Sequence, residues 1–234
     1  MSKKRQDIIK IETVSRLARK FKNSSKLLFA KFKIRETAHN RKQRQFFEDK
    51  LREFFPKDSN ETNSENCLLI DGFWDNPNWW WRSHLIINAL NSNSWKKKGV
   101  IGLYNKKKIR DTFDKLDIEP YEIKDFIQPK KSYIKLAEEY LDQIKTNGDI
   151  LNLGFHRDIP NFIIYDWILK RQQSPTVNIN YRNLTEDIVL AMQMIDACYE
   201  IIKVTKPKIL IISHACGLPY AALIMASLQE KITI

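Results

Sequence analysis

The stretch KILIISHACGLPYAALIMASLQ, Lys208 to Gln229, decides how the rest of the chain is read. An apolar run, Ile209 to Ile212, leads into Ser213, His214, Ala215, Cys216 and Gly217, and a second apolar stretch of helical length runs from Leu218 to Leu228. The first run is too short for a helix and ends in a small-residue turn, so the pattern predicts a buried strand, a tight turn and a helix. In an open α/β sheet such a turn lies at the carboxyl end of a strand, where ligands bind.

Upstream, the same alternation repeats. Cys67–Asp71 (CLLID), Gly99–Tyr104 (GVIGLY) and Pro120–Ile123 (PYEI) read as strands, Thr176–Ile179 as a further short one, and Ile232–Ile234 as the start of another. Between them, helices are expected over Trp80–Leu90, over Lys106–Leu116 with Asn105 as cap, and over Tyr133–Lys145. In the last of these Ile134, Ala137, Leu141 and Ile144 form the apolar face and Gly148 ends the helix. Asp149–Phe155 is apolar and ends in a turn. Two more helices are expected over Asn161–Arg171 and Leu184–Val204, the latter with Asp187 near its positive end and Lys206-Pro207 beyond it. Strands alternating with helices imply an α/β fold: a doubly wound, mostly parallel sheet. The chain contains no GxGxxG and no GxxxxGK[ST], so a dinucleotide or P-loop phosphate site has no support.

The charge is unevenly placed. Of 40 Lys/Arg and 28 Asp/Glu, residues 1–57 hold 18 and 6, a net +12, and residues 58–234 hold 22 of each. In residues 1–57, Ile8, Ile11, Val14, Leu17, Ala18 and Phe21 recur at helical spacing among lysines and arginines. This predicts a basic amphipathic helical extension, followed by a polar linker over 58–66 and a body over 67–234. Such an arm suits an anionic membrane surface; docking on the body is the competing expectation. No recognition motif accompanies the charge, which argues against nucleic acid. No run of 18 apolar residues exists, and the N-terminus lacks an apolar signal core, so a cytoplasmic protein, peripheral at the inner membrane if the arm binds lipid, is expected. Three widely spaced cysteines form neither a disulfide framework nor a zinc pattern.

Three stretches could carry chemistry. DGFWDNPNWWWR, Asp71–Arg82, follows the first strand and sets Trp74 and Trp79 beside Asn76 and Arg82, after Gly72. Apolar faces next to hydrogen-bonding groups suit a sugar ring, although consecutive tryptophans also suit burial. Ser213 and His214, with Gly217 before a helix, form the second; His214 can serve as base, donor or phosphate partner, or simply pack the turn. His156 and Arg157, in GFHRDIPNFIIYD, form the third, with Asp158 as the expected cap of the helix that begins near Pro160. Cys216 lies two residues from His214 with no third orienting group, which argues against a thiol nucleophile.

Three pieces resemble bacterial capsular and surface-polysaccharide biosynthesis proteins of the GT-B glycosyltransferase type: LLIDGFWDNPNWWWRSHLIINAL, GFHRDIPNFIIYDWILKRQQSPTVNI and KILIISHACGLPYAALIMASLQEKITI. The resemblance covers roughly residues 67–234 and implies the Rossmann-like N-terminal half of such an enzyme, the half that binds the glycan or lipid-linked acceptor. It implies a catalytic role for His214 and acceptor binding by Gly72, Trp74, Asn76, Trp79, Arg82, His156, Arg157, Ser213 and Gly217. A nucleotide-sugar donor would be gripped by a second domain, so no cofactor and no metal is expected in this chain, and it is expected to be incomplete as an enzyme. A homo-oligomer in which two chains share a cleft remains open, as does a non-catalytic binding or scaffold module whose basic arm contacts a membrane, a protein or nucleic acid.

Overall fold

The computed structural model describes residues 66–234, apart from 75, 77, 80–81, 84, 87–94 and 104–106. The expected arm over 1–57, almost all of the linker, and the Asn105 cap lie outside the described residues.

Four strands form one sheet: β1 (Cys67–Asp71), β2 (Lys96–Ile101), β3 (Glu119–Glu122) and β4 (Ile209–Ile211). Every pairing is parallel and the spatial order is β3-β2-β1-β4. The α-helices that follow are α1 (Lys107–Lys115), α2 (Lys131–Leu141), α3 (Asp149–Asn152), α4 (Asn161–Gln172), α5 (Leu184–Thr205) and α6 (Leu218–Gln229), with 3-10 turns at Ile123–Phe126 and His156–Asp158. Asn78, Trp79, Arg82, Ser83, Leu85 and Ile86, between β1 and β2, are also helical, so that helix begins earlier than Trp80.

β1 is the central strand, and all five of its residues are buried. Alternation sends successive side chains to opposite faces. Leu69, Val100 and Leu210 join the large core built by α2 to α6. Ile70, with its register partners Gly99 and Ile211, faces the other way, toward α1. There Gly99 makes room for Phe113: a Cβ on Gly99 would stand 2.2 Å from the Phe113 ring. Leu68, Leu69 and Ile70 are completely buried, which stabilises the fold by about 1.5–3 kcal/mol per side chain.

Several expected boundaries shift, each for a physical reason. β2 starts at Lys96, not Gly99, because register with Cys67–Leu69 carries the lysines into the sheet. Lys98 is held there by the Tyr121 hydroxyl at 2.6 Å and by Glu119 at 2.8 Å. α2 ends at Leu141, well short of Lys145, and Gly148 is not its stop. The Asp149 carboxylate accepts the Lys145 and Thr146 N–H groups at 2.7 and 2.6 Å and turns the chain before Gly148 is reached. Of the expected stripe, Ala137 and Ile144 are buried and Leu141 packs against the core, but Ile134 is exposed and Tyr133 and Tyr140 complete the buried face. Aromatic rings bury more area than an isoleucine, and Tyr140 packs edge-on to Phe155 with centroids 4.9 Å apart. Thr176–Ile179 is a loop: the Gln172 amide bonds both the N–H and the C=O of Asn178 and closes it. Beyond β4, Thr233 makes a single parallel bridge to Ile209.

Candidate functional site at the carboxyl edge of β1 and β4

β1 and β4 are neighbours, but their onward connections leave in opposite directions along the sheet: β1 continues to β2 and β3, while the chain returns to β4 on the other flank. In open α/β sheets, ligands bind outside the carboxyl ends where strand order reverses in this way. The two corners that face each other there are Asp71–Trp74 after β1 and Ser213–Gly217 after β4.

Asp71 is the anchor. Alternation puts its side chain on the Leu69 face, and it is completely buried. Its Oδ1 accepts the Ser213 hydroxyl at 3.0 Å and the Phe73 N–H at 3.4 Å, and its Oδ2 accepts the Ser213 N–H. Burial pushes the Asp71 carboxyl from the usual 3.8 up to about 6, against the pull of the Ser213 and Phe73 hydrogen bonds and of the nearby His214. His214 is exposed, with Nδ1 3.0 Å from the Ser213 Oγ. The imidazole sits edge-on to Trp74, centroids 4.6 Å apart, and 5.4 Å from the Tyr220 ring. Tyr220 also meets Phe73 edge-on at 5.1 Å. Burial and the Asp71 charge raise the Tyr220 phenol, and a hydrogen bond with Ser213 pulls it back. The arrangement is a buried carboxylate, a hydroxyl and an imidazole in line, walled by two aromatic rings.

Gly217 precedes α6 with φ +100°, a conformation that favours glycine, so its contribution is to aim the turn. Trp74 is 42% exposed and stands beside His214.

Other residues expected at the site do different work. Gly72 is buried beneath α1: a Cβ there would meet Phe113 at 2.7 Å and the Val100 carbonyl at 2.8 Å, so close packing accounts for a glycine here. Trp79 is buried, with Nε1 donating to the Asp71 carbonyl at 3.1 Å; it braces the end of β1. Asn76 shapes the turn, its side chain accepting the Asn78 N–H at 2.9 Å and its carbonyl the Trp79 N–H at 3.0 Å. Arg82 is exposed on the helical segment after that turn.

His156 and Arg157 do not join Ser213 and His214. They converge on Asp196 of α5: His156 Nε2 and Arg157 Nε each lie 2.9 Å from Oδ1, and the Tyr133 hydroxyl donates to Oδ2 at 2.9 Å. Cys198, two residues on, points at Pro219 of α6, so Asp196 projects from roughly the opposite side of the helix. Burial works against the Asp196 charge, but these three partners hold its carboxyl below the usual range. Arg157 and Asp158 both have left-handed backbone, at φ 57° and 55°. Asp158 therefore does not cap α4, whose cap position is Pro160, with no side-chain cap bond.

Sequence reasoning missed Asp71 and Asp196 as organisers. Asp71 and Ser213 are 142 residues apart, so no local spacing connects them. The available signal was a carboxylate terminating an otherwise apolar strand. Glu122 ends β3 in the same way, but it is paired with Arg110 and with Lys124 at 2.5 Å. It also lies two strands from β1, roughly 10 Å away. A depression of 250 Å³ lined by Ile202, Lys203, Lys206, Pro207, Glu230 and Ile232 lies at the amino end of β4, not at this edge. Among the described residues no His, Cys, Asp or Glu group is arranged to hold a metal ion, and no helix is long and apolar enough to cross a membrane. Compared with family models, with curated proteins and with solved structures, the chain matches none.

Proposed function

We propose that the β1/β4 crevice takes a saccharide hydroxyl, with His214 as the proton acceptor, and that the chain is the acceptor-binding, Rossmann-like half of a GT-B type glycosyltransferase. The observation that carries this reading is the exposed Trp74 ring set edge-on to His214 at a topological switch point. An aromatic wall beside a hydrogen-bonding imidazole offers a sugar both its apolar face and its hydroxyl groups what they need.

In the reaction, His214 Nε2 takes the proton of the acceptor hydroxyl as that oxygen attacks the anomeric carbon of a nucleotide-sugar. A carbon–oxygen bond forms, the bond from the anomeric carbon to the diphosphate breaks, and its electron pair leaves on the diphosphate. The strand order supports the Rossmann-like assignment, with Thr233 bridging β4 on the side away from β1. Residues 1–57, at net +12, would hold the protein on an anionic membrane beside a lipid-linked acceptor, each basic residue near the surface contributing about 1 kcal/mol. Retention by anionic but not neutral vesicles at low salt checks that part.

The site is tested by titrating the full chain with neutral oligosaccharides and detergent-solubilised lipid-linked glycans while reading tryptophan fluorescence. A saturable change that disappears in Trp74→Phe is expected. If no glycan gives a saturable change, or if Trp74→Phe leaves the change intact, the reading is wrong.

A further inference from the structure

We infer that Asp71 is a positioning residue for His214: acting through the Ser213 hydroxyl, it fixes the imidazole proton on Nδ1 and presents Nε2 to the crevice as the acceptor. The catalytic sense of this rests on His214 being the base, as read above; the tautomer itself does not.

A serine hydroxyl has one proton to give and two lone pairs to receive with. Ser213 Oγ has two side-chain neighbours to satisfy: Asp71 Oδ1 at 3.0 Å and His214 Nδ1 at 3.0 Å. A carboxylate can only accept, and a hydrogen bond to a charged acceptor is about twice as strong as a neutral one. The hydroxyl proton therefore goes to Asp71. The hydroxyl oxygen then offers only lone pairs to His214, whose Nδ1 must donate. For a neutral imidazole, a donating Nδ1 means that Nε2 carries the lone pair.

The reverse arrangement, with Ser213 donating to Nδ1, sets an oxygen lone pair against a carboxylate oxygen 3.0 Å away. Asp71 cannot turn aside to relieve this. It is completely buried, and the Ser213 and Phe73 N–H groups hold its two oxygens. The imidazole is flanked by Trp74, which stands edge-on to it, and by Tyr220, which lies tilted against it. The preference is thus written into the corner of β1 and passed 142 residues along the chain to the corner of β4.

The experiment is nitrogen-15 NMR of the histidine side chains in the full chain at pH 8, with the His214 signals assigned by their loss in His214→Gln. In the unmodified protein the proton is expected on Nδ1, with Nε2 bare. Ser213→Ala should release the ring to the Nε2–H form that free imidazole side chains favour, and Ser213→Thr, which keeps the hydroxyl, should restore Nδ1–H. Asp71→Asn should also end the exclusive Nδ1–H state; because Asp71 is buried and its replacement also perturbs the fold, Ser213→Ala carries the test by itself. A native Nε2–H signal, or an Nδ1–H signal that survives Ser213→Ala, overturns the inference. Neither readout needs a ligand, so a fixed Nδ1–H in a chain that binds no saccharide refutes the acceptor reading and leaves the positioning role standing.

Discussion

Replacing Asp71 by Asn should change how the stability of the protein depends on pH, in a direction set by the balance at this one carboxyl. Burial pushes it up to about 6 from the usual 3.8, although three hydrogen bonds and His214 pull the other way. A carboxyl whose folded value is raised binds its proton more tightly in the native state, so folding is penalised once the group must ionise. The penalty is absent below pH 3.8 and complete above about 6. A shift of this size corresponds to about 3 kcal/mol at 1.36 kcal/mol per pH unit. Asparagine never ionises, and every other titrating group is common to both proteins. The stability of Asp71→Asn relative to the unmodified protein should therefore rise by about 3 kcal/mol between pH 3.5 and pH 7.5. Urea unfolding of both proteins across that range measures it. Parallel curves would show that the hydrogen bonds cancel the burial. A relative stability that falls with pH would show that they outweigh it, and Asp71 would be an ordinary stabilised carboxylate.

Three further outcomes follow from the packing. Gly99→Ala places a methyl 2.2 Å from the Phe113 ring; unfolding should show a loss of about 1–3 kcal/mol, partly recovered when Phe113→Leu is added. Asp196→Asn weakens the bonds to His156 and Arg157; denaturation should show a loss of about 1.5–3 kcal/mol, while the His214 imidazole signals stay where they are. Arg171→Ala removes the 2.8 Å partner of the buried Asp187 in the first turn of α5; a loss of about 3–5 kcal/mol is expected, and Asp187→Asn in the same chain should return part of it.

The layered α/β arrangement could be read directly from the chain because strand and helix periods are local. CLLID is too short and too apolar for anything but a buried strand, and it is β1 residue for residue. The lengths of α5 and α6 follow in the same way from apolar periodicity bounded by Lys206-Pro207 and by Gly217. What resisted reading was decided by partners far along the chain. Trp74 and Trp79 look alike in sequence, yet one is exposed at the crevice and the other is pinned to the Asp71 carbonyl. The family resemblance groups His156 with His214 at one acceptor site, but a single aspartate in the middle of α5 claims His156. In α2, Ile134 is exposed while two tyrosines are buried with partners outside the helix, Asp196 and Phe155, which no hydropathy pattern within it records.

The paired left-handed residues Arg157 and Asp158 bear on the order in which the molecule assembles. Each of these backbones is disfavoured by roughly 1–2 kcal/mol when nothing holds it. Besides local backbone bonds from the Asp158 and Ile159 N–H groups, its side-chain restraints, the Asp196 carboxylate and the Tyr199 hydroxyl that reaches the Arg157 carbonyl, belong to α5. A bend whose side-chain partners lie on a helix some forty residues later is completed only when that helix is in place. It closes after α5 has docked, as a clasp does after the band is round the wrist, and substitutions there should quicken unfolding while leaving the refolding rate nearly unchanged.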